Sequence, residues 1–129
     1  MKKKFEEFIT PENEKSLKVI EFTNKVPELM SISSFVITKP GGLTSSESLA
    51  SSLPMIIINP LPGQEEANAT YLENTGAAIW IKNDDNDDNI EDIISNIVKS
   101  PTKLEEMKSF AKSAAKPDAA KDICQILNI

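Results

Sequence analysis

Four short apolar runs, Leu17 to Phe22, Phe35 to Thr38, Met55 to Asn59 and Ala78 to Ile81, recur through the first two-thirds of this 129-residue chain. They are rich in Ile and Val and mostly uninterrupted, as strands buried on both faces are. Helix signals fill the gaps between them. Pro27-Glu-Leu-Met30 opens a short helix with Pro in its first turn. Thr44-Ser-Ser-Glu47 has capping-box spacing ahead of Leu49 and Ala50. Gly63 to Asn74 reads as a helix closed by Gly76. Strands alternating with helices at this spacing need crossover connections, so the expected fold class is α/β, a parallel sheet with right-handed crossovers.

The last third is helical. Lys82 to Asn89, with its run of Asp and Asn, reads as a polar turn in which Asp88 caps the next helix. Ile90, Ile93, Ile94, Ile97 and Val98 mark one face of an amphipathic helix that stops at Pro101. Thr102-Lys-Leu-Glu105 is a second capping box, opening a helix with Leu104, Met107, Phe110, Ala111 and Ala114 inside. Pro117-Asp118 starts a third helix carrying Ile123, Cys124 and Leu127. The length fits one domain, residues 1–129, with a helical tail over about 90–129. Four strands and a helical tail make a thin sheet, which points to a piece of a longer protein.

Two loops carry the chemistry. Phe35-Val-Ile37 runs into Lys39-Pro-Gly-Gly-Leu-Thr44, and a helix start follows at once, with Glu47 one turn along. Glycines there let backbone approach a ligand closely, and a helix N-terminus offers free N–H groups and a positive dipole end to phosphate. The strand from Met55 ends in a similar loop, Pro62-Gly-Gln-Glu-Glu-Ala-Asn68. Two such loops at neighbouring strand ends can hold the two ends of one nucleotide-linked ligand.

Composition narrows the alternatives. A net charge of −6 argues against nucleic acid, whose phosphates require a basic surface. With no His and a single Cys, a thiolate metal site and an imidazole base are both out of reach. Met-Lys-Lys-Lys is followed by no apolar segment of signal-peptide length, and no run could cross a bilayer, so a cytoplasmic protein is expected.

Three stretches carry a family resemblance: Phe22-Thr-Asn-Lys-Val-Pro-Glu-Leu-Met30, Ile37 to Thr44 with Ser46-Glu47, and Pro54 to Pro60 with Pro62-Gly-Gln-Glu-Glu66. Over roughly residues 5–127 the chain resembles the C-terminal domain of glycosyltransferase family 28. Within that family it is most similar to the diacylglycerol glycosyltransferases, monogalactosyldiacylglycerol synthase and processive diacylglycerol glucosyltransferase. The resemblance implies a Rossmann-like parallel sheet forming the donor-binding C-terminal half of a GT-B fold, truncated at its N-terminus. It also implies an inverting transfer of a hexose from UDP to a lipid such as diacylglycerol. The acceptor and the catalytic base would belong to a missing N-terminal domain, so no catalytic residue is expected in this chain, and the chain alone is expected to be inactive. No metal or other cofactor is implied, the UDP-sugar being a co-substrate. The parent enzyme would sit peripherally at the inner face of the membrane.

Carried over by position, Phe22 and Thr23 would line the uracil pocket through backbone groups, and Gly41, Gly42, Leu43 and Thr44 would meet the diphosphate. Glu47 would accept from the ribose hydroxyls, and Gln64 and Glu65 would hold hydroxyls of the sugar. One departure is Glu21, where the family commonly has Gly before the Phe-Thr pair.

Plainer readings stand beside these. Thr44 and Glu47 can be a capping box alone, and Gly41-Gly42 a tight turn. Lys39 can neutralise a diphosphate or point into solvent. Glu65 and Glu66, adjacent on a helix, point about 100° apart and suit the helix dipole better than an acid/base pair. The Asp84–Asp88 cluster lacks the Gly and Glu of an EF-hand loop, Trp80 reads as core or interface packing, and Cys124 as a small buried hydrophobe. Two further readings of the whole chain are a free-standing nucleotide-binding module and an inactive remnant that pairs with another copy through an exposed sheet edge.

Overall fold

The computed structural model describes residue 7, residues 10–82 and residues 89–115, with Asn89 and Ile90 described in backbone only. Residues 83–88 of the expected polar turn Lys82–Asn89, and the expected helix after Pro117, lie outside the described residues, while Asn89 already opens a helix. In chain order the elements are α1 (Val26–Ile32), β1 (Val36–Thr38), α2 (Gly42–Ala50), β2 (Met55–Ile58), α3 (Gln64–Thr75), β3 (Ala78–Ile81), α4 (Asn89–Val98) and α5 (Pro101–Ala114). The strands form one parallel sheet in the order β1-β2-β3.

Register sorts the side chains into two layers. Val36, Met55 and Ala78 stand in one row and Thr38, Ile57 and Trp80 in another on the same face. Met55, Ile57 and Ala78 there pack with Leu49 of α2, Ala69 and Leu72 of α3 and Ala111 of α5. On the opposite face Ile56 and Ile81 pack with Ile97 of α4 and Met107 of α5, flanked by Phe35, Ile79, Ile93, Ile94 and Leu104. Helix α5 thus feeds both layers, and its Phe110 ring lies against Gly76, two residues ahead of β3. It crosses the N-terminal ends of the strands and leaves their C-terminal ends to the loops.

The first apolar run does not form the expected strand. Residues 17–25 are irregular, and Leu17, Ile20 and Phe22 are 39%, 44% and 86% exposed. Apolar composition gives a segment the propensity for a strand, but the ladder forms only against a neighbour that takes its N–H and C=O groups. No described strand pairs with this segment, and among the described residues the sheet has three strands, not four. Both capping boxes are also displaced. Helix α2 starts at Gly42 with Gly41 at the N-cap and no side-chain cap, so Thr44 lies inside its first turn. Helix α5 is capped by Ser100, whose Oγ accepts from Lys103 N at 3.3 Å, with Pro101 following, and Thr102 is already helical.

The α3 C-terminus is as expected. Gly76 sits at φ +84°, its N–H donating to Glu73 O, and a Cβ there would come within 2.7 Å of the Phe110 ring. Gly76→Ala should therefore destabilise the fold by about 2 kcal/mol or more, left-handed strain and overpacking acting together, as read from urea denaturation.

Candidate functional site

The C-terminal ends of β1 and β2 deliver two loops to the same side of the sheet. After β1, Pro40 is fully buried, and Gly41 N–H folds back onto Lys39 O at 2.9 Å around it. That tight turn ends the strand and aims the chain into α2. The amides of Gly42, Leu43 and Thr44 then open the helix with no side chain capping them. Gly42 and Leu43 are exposed, Leu43 at 75%, and Thr44 is half-buried.

Neither glycine here is needed by the backbone. Gly41 has φ −65° and ψ 150°, open to any residue, and a Cβ built on Gly41 or Gly42 meets nothing within 4 Å. The tight-turn reading therefore explains the bend but not the residue type. What the glycines provide is clearance on the outer side of three free N–H groups. The capping-box reading of Thr44 and Glu47 also fails, since the helix has begun two residues earlier. Three residues apart on α2, the two side chains share a face, both half-exposed, and the Glu47 carboxylate has no hydrogen-bond partner among the described residues. Behind them Ser48 is buried and satisfied, its Oγ donating to Thr44 O at 2.8 Å, whereas the buried Ser45 Oγ has no partner among the described residues.

The second loop is shaped by its backbone. Asn59 at φ +43° and Gly63 at φ +93° both lie in the left-handed region, which Asn tolerates and Gly favours. Glu65 Oε1 accepts from Leu61 N–H at 3.0 Å, so one oxygen of this predicted sugar ligand closes its own loop. Glu66 instead faces a depression of about 180 Å3 lined also by Asn59, Pro60, Trp80, Ile81 and Lys82, with the Lys82 ammonium 4.8 Å from the Trp80 ring centre. The two acids serve different neighbours, in keeping with the reading that they are no acid/base pair.

A residue the sequence reading passed over joins the loops. Asn68, one turn beyond Gln64 in α3, donates through Nδ2 to Pro40 O at 2.9 Å and accepts from Gln64 Nε2 at 3.1 Å. In sequence its visible mark is a glycosylation sequon, Asn68-Ala-Thr70. The structure brings Gly41, Gly42, Leu43, Thr44, Glu47, Gln64 and Glu65 to one end of the sheet. Phe22 and Thr23 are on the irregular segment before α1, where the Thr23 hydroxyl accepts from Lys25 N at 3.0 Å and Phe22 packs on little. Among the described residues no group of three or more His, Cys, Asp or Glu could hold a metal ion, and no helix is long and apolar enough to cross a membrane.

Residues 2–123 match the glycosyltransferase family 28 C-terminal domain. The chain belongs to that family. Among curated relatives, a processive diacylglycerol beta-glucosyltransferase from Bacillus cereus is 39% identical over 111 residues, 86% of this chain and 28% of the relative. One of the same name from Bacillus cytotoxicus is 36% identical over 116 residues, covering 90% of this chain and 29% of that protein. This chain therefore spans a little over a quarter of the length of those relatives. The crystal structure of Acinetobacter baumannii MurG superposes with a TM-score of 0.75 at 22% identity, over 86% of this chain and 33% of that one. The described sheet and helices are thus those of the C-terminal half of a GT-B fold, and the family 28 domain presents its two glycine-containing loops at the end of the sheet left open by α5.

Gly42→Ala should leave stability unchanged or raise it by up to about 1 kcal/mol, because the site accepts a Cβ and Ala is the better helix former. Ser45→Ala should raise it by about 1 kcal/mol by removing a buried hydroxyl without a partner. Both are read from urea midpoints against Gly76→Ala as the destabilised control.

Proposed function

We propose that this chain, residues 1–129, is the UDP-hexose-binding domain of an inverting glycosyltransferase whose acceptor is a lipid such as diacylglycerol. The observation that carries the reading is the start of α2. Three uncapped amides open onto cleared space, and an unpartnered carboxylate stands one turn along. The amides and the positive end of the helix dipole suit a diphosphate, and Glu47 suits the two hydroxyls of a ribose. Gln64 and Glu65, on the neighbouring loop, are assigned to hydroxyls of the hexose. Phe22 and Thr23 are assigned to the base, through their backbone.

In that arrangement the lipid hydroxyl oxygen attacks the anomeric carbon from the side opposite UDP. The carbon–oxygen bond to the diphosphate breaks with its electrons on UDP, and the hydroxyl proton passes to a base. Charge grows on the departing diphosphate, where the α2 amides can stabilise it without reorganising. We assign the base and the lipid-binding surface to a second domain of the whole enzyme, outside these residues. The whole enzyme would then work peripherally at the cytoplasmic face of a membrane.

Isothermal titration tests this. UDP should bind at high micromolar affinity while CMP and ADP do not, and Glu47→Ala should weaken UDP at least tenfold, as loss of hydrogen bonds to a charged group does. The same variant should melt with the wild type, since Glu47 caps nothing. Absence of UDP binding, or sugar transfer to diacylglycerol by this chain alone, would overturn the assignment.

A second reading is favoured by the sheet edges. Trp80 N–H on the outer edge of β3 donates to Glu73 Oε2 at 3.0 Å, whereas β1 has no outer strand among the described residues and its Ile37 is 42% exposed. An unpaired strand edge is a template for another chain, and self-association through β1 should appear as a dimer in size-exclusion chromatography with light scattering. A monomer at high concentration would remove this reading.

A further inference from the structure

The strongest unassigned feature is the hydrogen-bonded chain from Pro40 through Asn68 to Gln64, and its chemistry has a direction. A carbonyl oxygen can only accept, so the group that meets Pro40 O must be the Asn68 nitrogen. The Asn68 oxygen is then turned toward Gln64, which must answer with its own nitrogen. This leaves the Gln64 carbonyl oxygen facing outward as an acceptor. One backbone carbonyl thus sets the orientation of a side-chain amide on another helix.

The link also holds the first loop. Pro40 has no N–H, so its carbonyl is its one polar backbone group, and the residue is fully buried. Asn68 satisfies that carbonyl from 28 residues away in sequence, whereas the Glu65–Leu61 and Glu73–Trp80 bonds span four and seven. The turn it pins is the one in which Gly41 N–H meets Lys39 O, immediately ahead of the free amides of α2. Losing the Asn68 donor would leave a buried acceptor unsatisfied at the pivot of that turn.

We propose that Asn68 is a positioning residue that couples the two halves of the donor site. It holds the diphosphate-binding turn through Pro40 and presents the Gln64 carbonyl oxygen to a hydroxyl of the transferred sugar. This deepens the proposed function and rests on it. Because one side chain serves both loops, occupancy of either should stiffen the other, a coupling between sub-sites within one ligand.

The test compares Asn68→Asp with Gln64→Ala in the full chain, using UDP and UDP-glucose as probes. Aspartate keeps an acceptor for Gln64 but cannot donate to Pro40. Asn68→Asp should weaken UDP and UDP-glucose alike, by about tenfold for one lost hydrogen bond to a buried acceptor. Gln64→Ala should leave UDP untouched and reduce only the gain that the sugar adds. Amide hydrogen exchange without ligand gives the independent readout. Asn68→Asp should speed exchange at Gly41, while the core strand amides of Ile56 and Ile57 keep wild-type protection. If Asn68→Asp weakened only UDP-glucose, Asn68 would be a sugar contact and the coupling would be wrong. Unchanged exchange at Gly41 would equally overturn it, whatever the ligands do. Wild-type exchange results as expected, with no UDP binding, would instead sink the donor-site reading and leave the Pro40 link standing.

Discussion

The placement of every loop in this domain depends on the burial of β2. Met55, Ile56 and Ile57 are wholly removed from water and hydrogen-bonded to strands on both edges. Each such side chain contributes roughly 1.5–3 kcal/mol, and β-branched residues hold one rotamer against both layers. Because the strand is apolar on successive residues, both faces must be covered, which forces helices onto each side and makes the sheet parallel. Parallel order in turn sends each strand's C-terminal end to the same side. The site is a consequence of that polarity: two helices start where two adjacent strands stop, with α5 across the opposite end.

An acidic chain can still offer a place for an anion. Net charge sets the far field and the choice of macromolecular partners, while a helix start acts over its first turn only. At α2 the local donors are uncapped and the first-turn residues, Gly42, Leu43, Thr44 and Ser45, carry no charge, with Glu47 beyond them. The glycines differ in what they serve. Gly63 and Gly76 are demanded by left-handed backbone, whereas Gly41 and Gly42 are required by nothing among the described residues. The latter pair leaves open space on the outside of the molecule.

Much of this was legible in the sequence because it is local. The runs at Phe35, Met55 and Ala78 became strands, the α3 helix ended at its glycine, and Ile93, Ile94 and Ile97 of α4 found the sheet. What failed was local spacing read without its competitors. Thr44 and Glu47 have the right interval for a cap, but buried Pro40 and its turn start the helix earlier. Thr102 and Glu105 have it too, yet Ser100 followed by Pro101 is the stronger start, a signal that was present and outweighed. Leu17–Phe22 had strand composition but needs a neighbour, which composition cannot supply. The role of Asn68 was not legible for the opposite reason: its partner is a backbone carbonyl far along the chain, and no motif encodes such a contact.

The carboxylate of Glu73 on the Trp80 amide has a consequence for growth. A sheet with two open edges can add copies at both ends and, if successive additions do not close, extends into a fibre. Here one edge has its Trp80 N–H occupied by a charged side chain from α3. Copies that meet through β1 would present Glu73-guarded strands at both outer borders, so accretion by strand pairing would stop at two. A thin, three-stranded sheet rich in isoleucine is the sort of segment that stacks indefinitely. In such a pair the acid at each far border would make a terminating unit of what could otherwise extend.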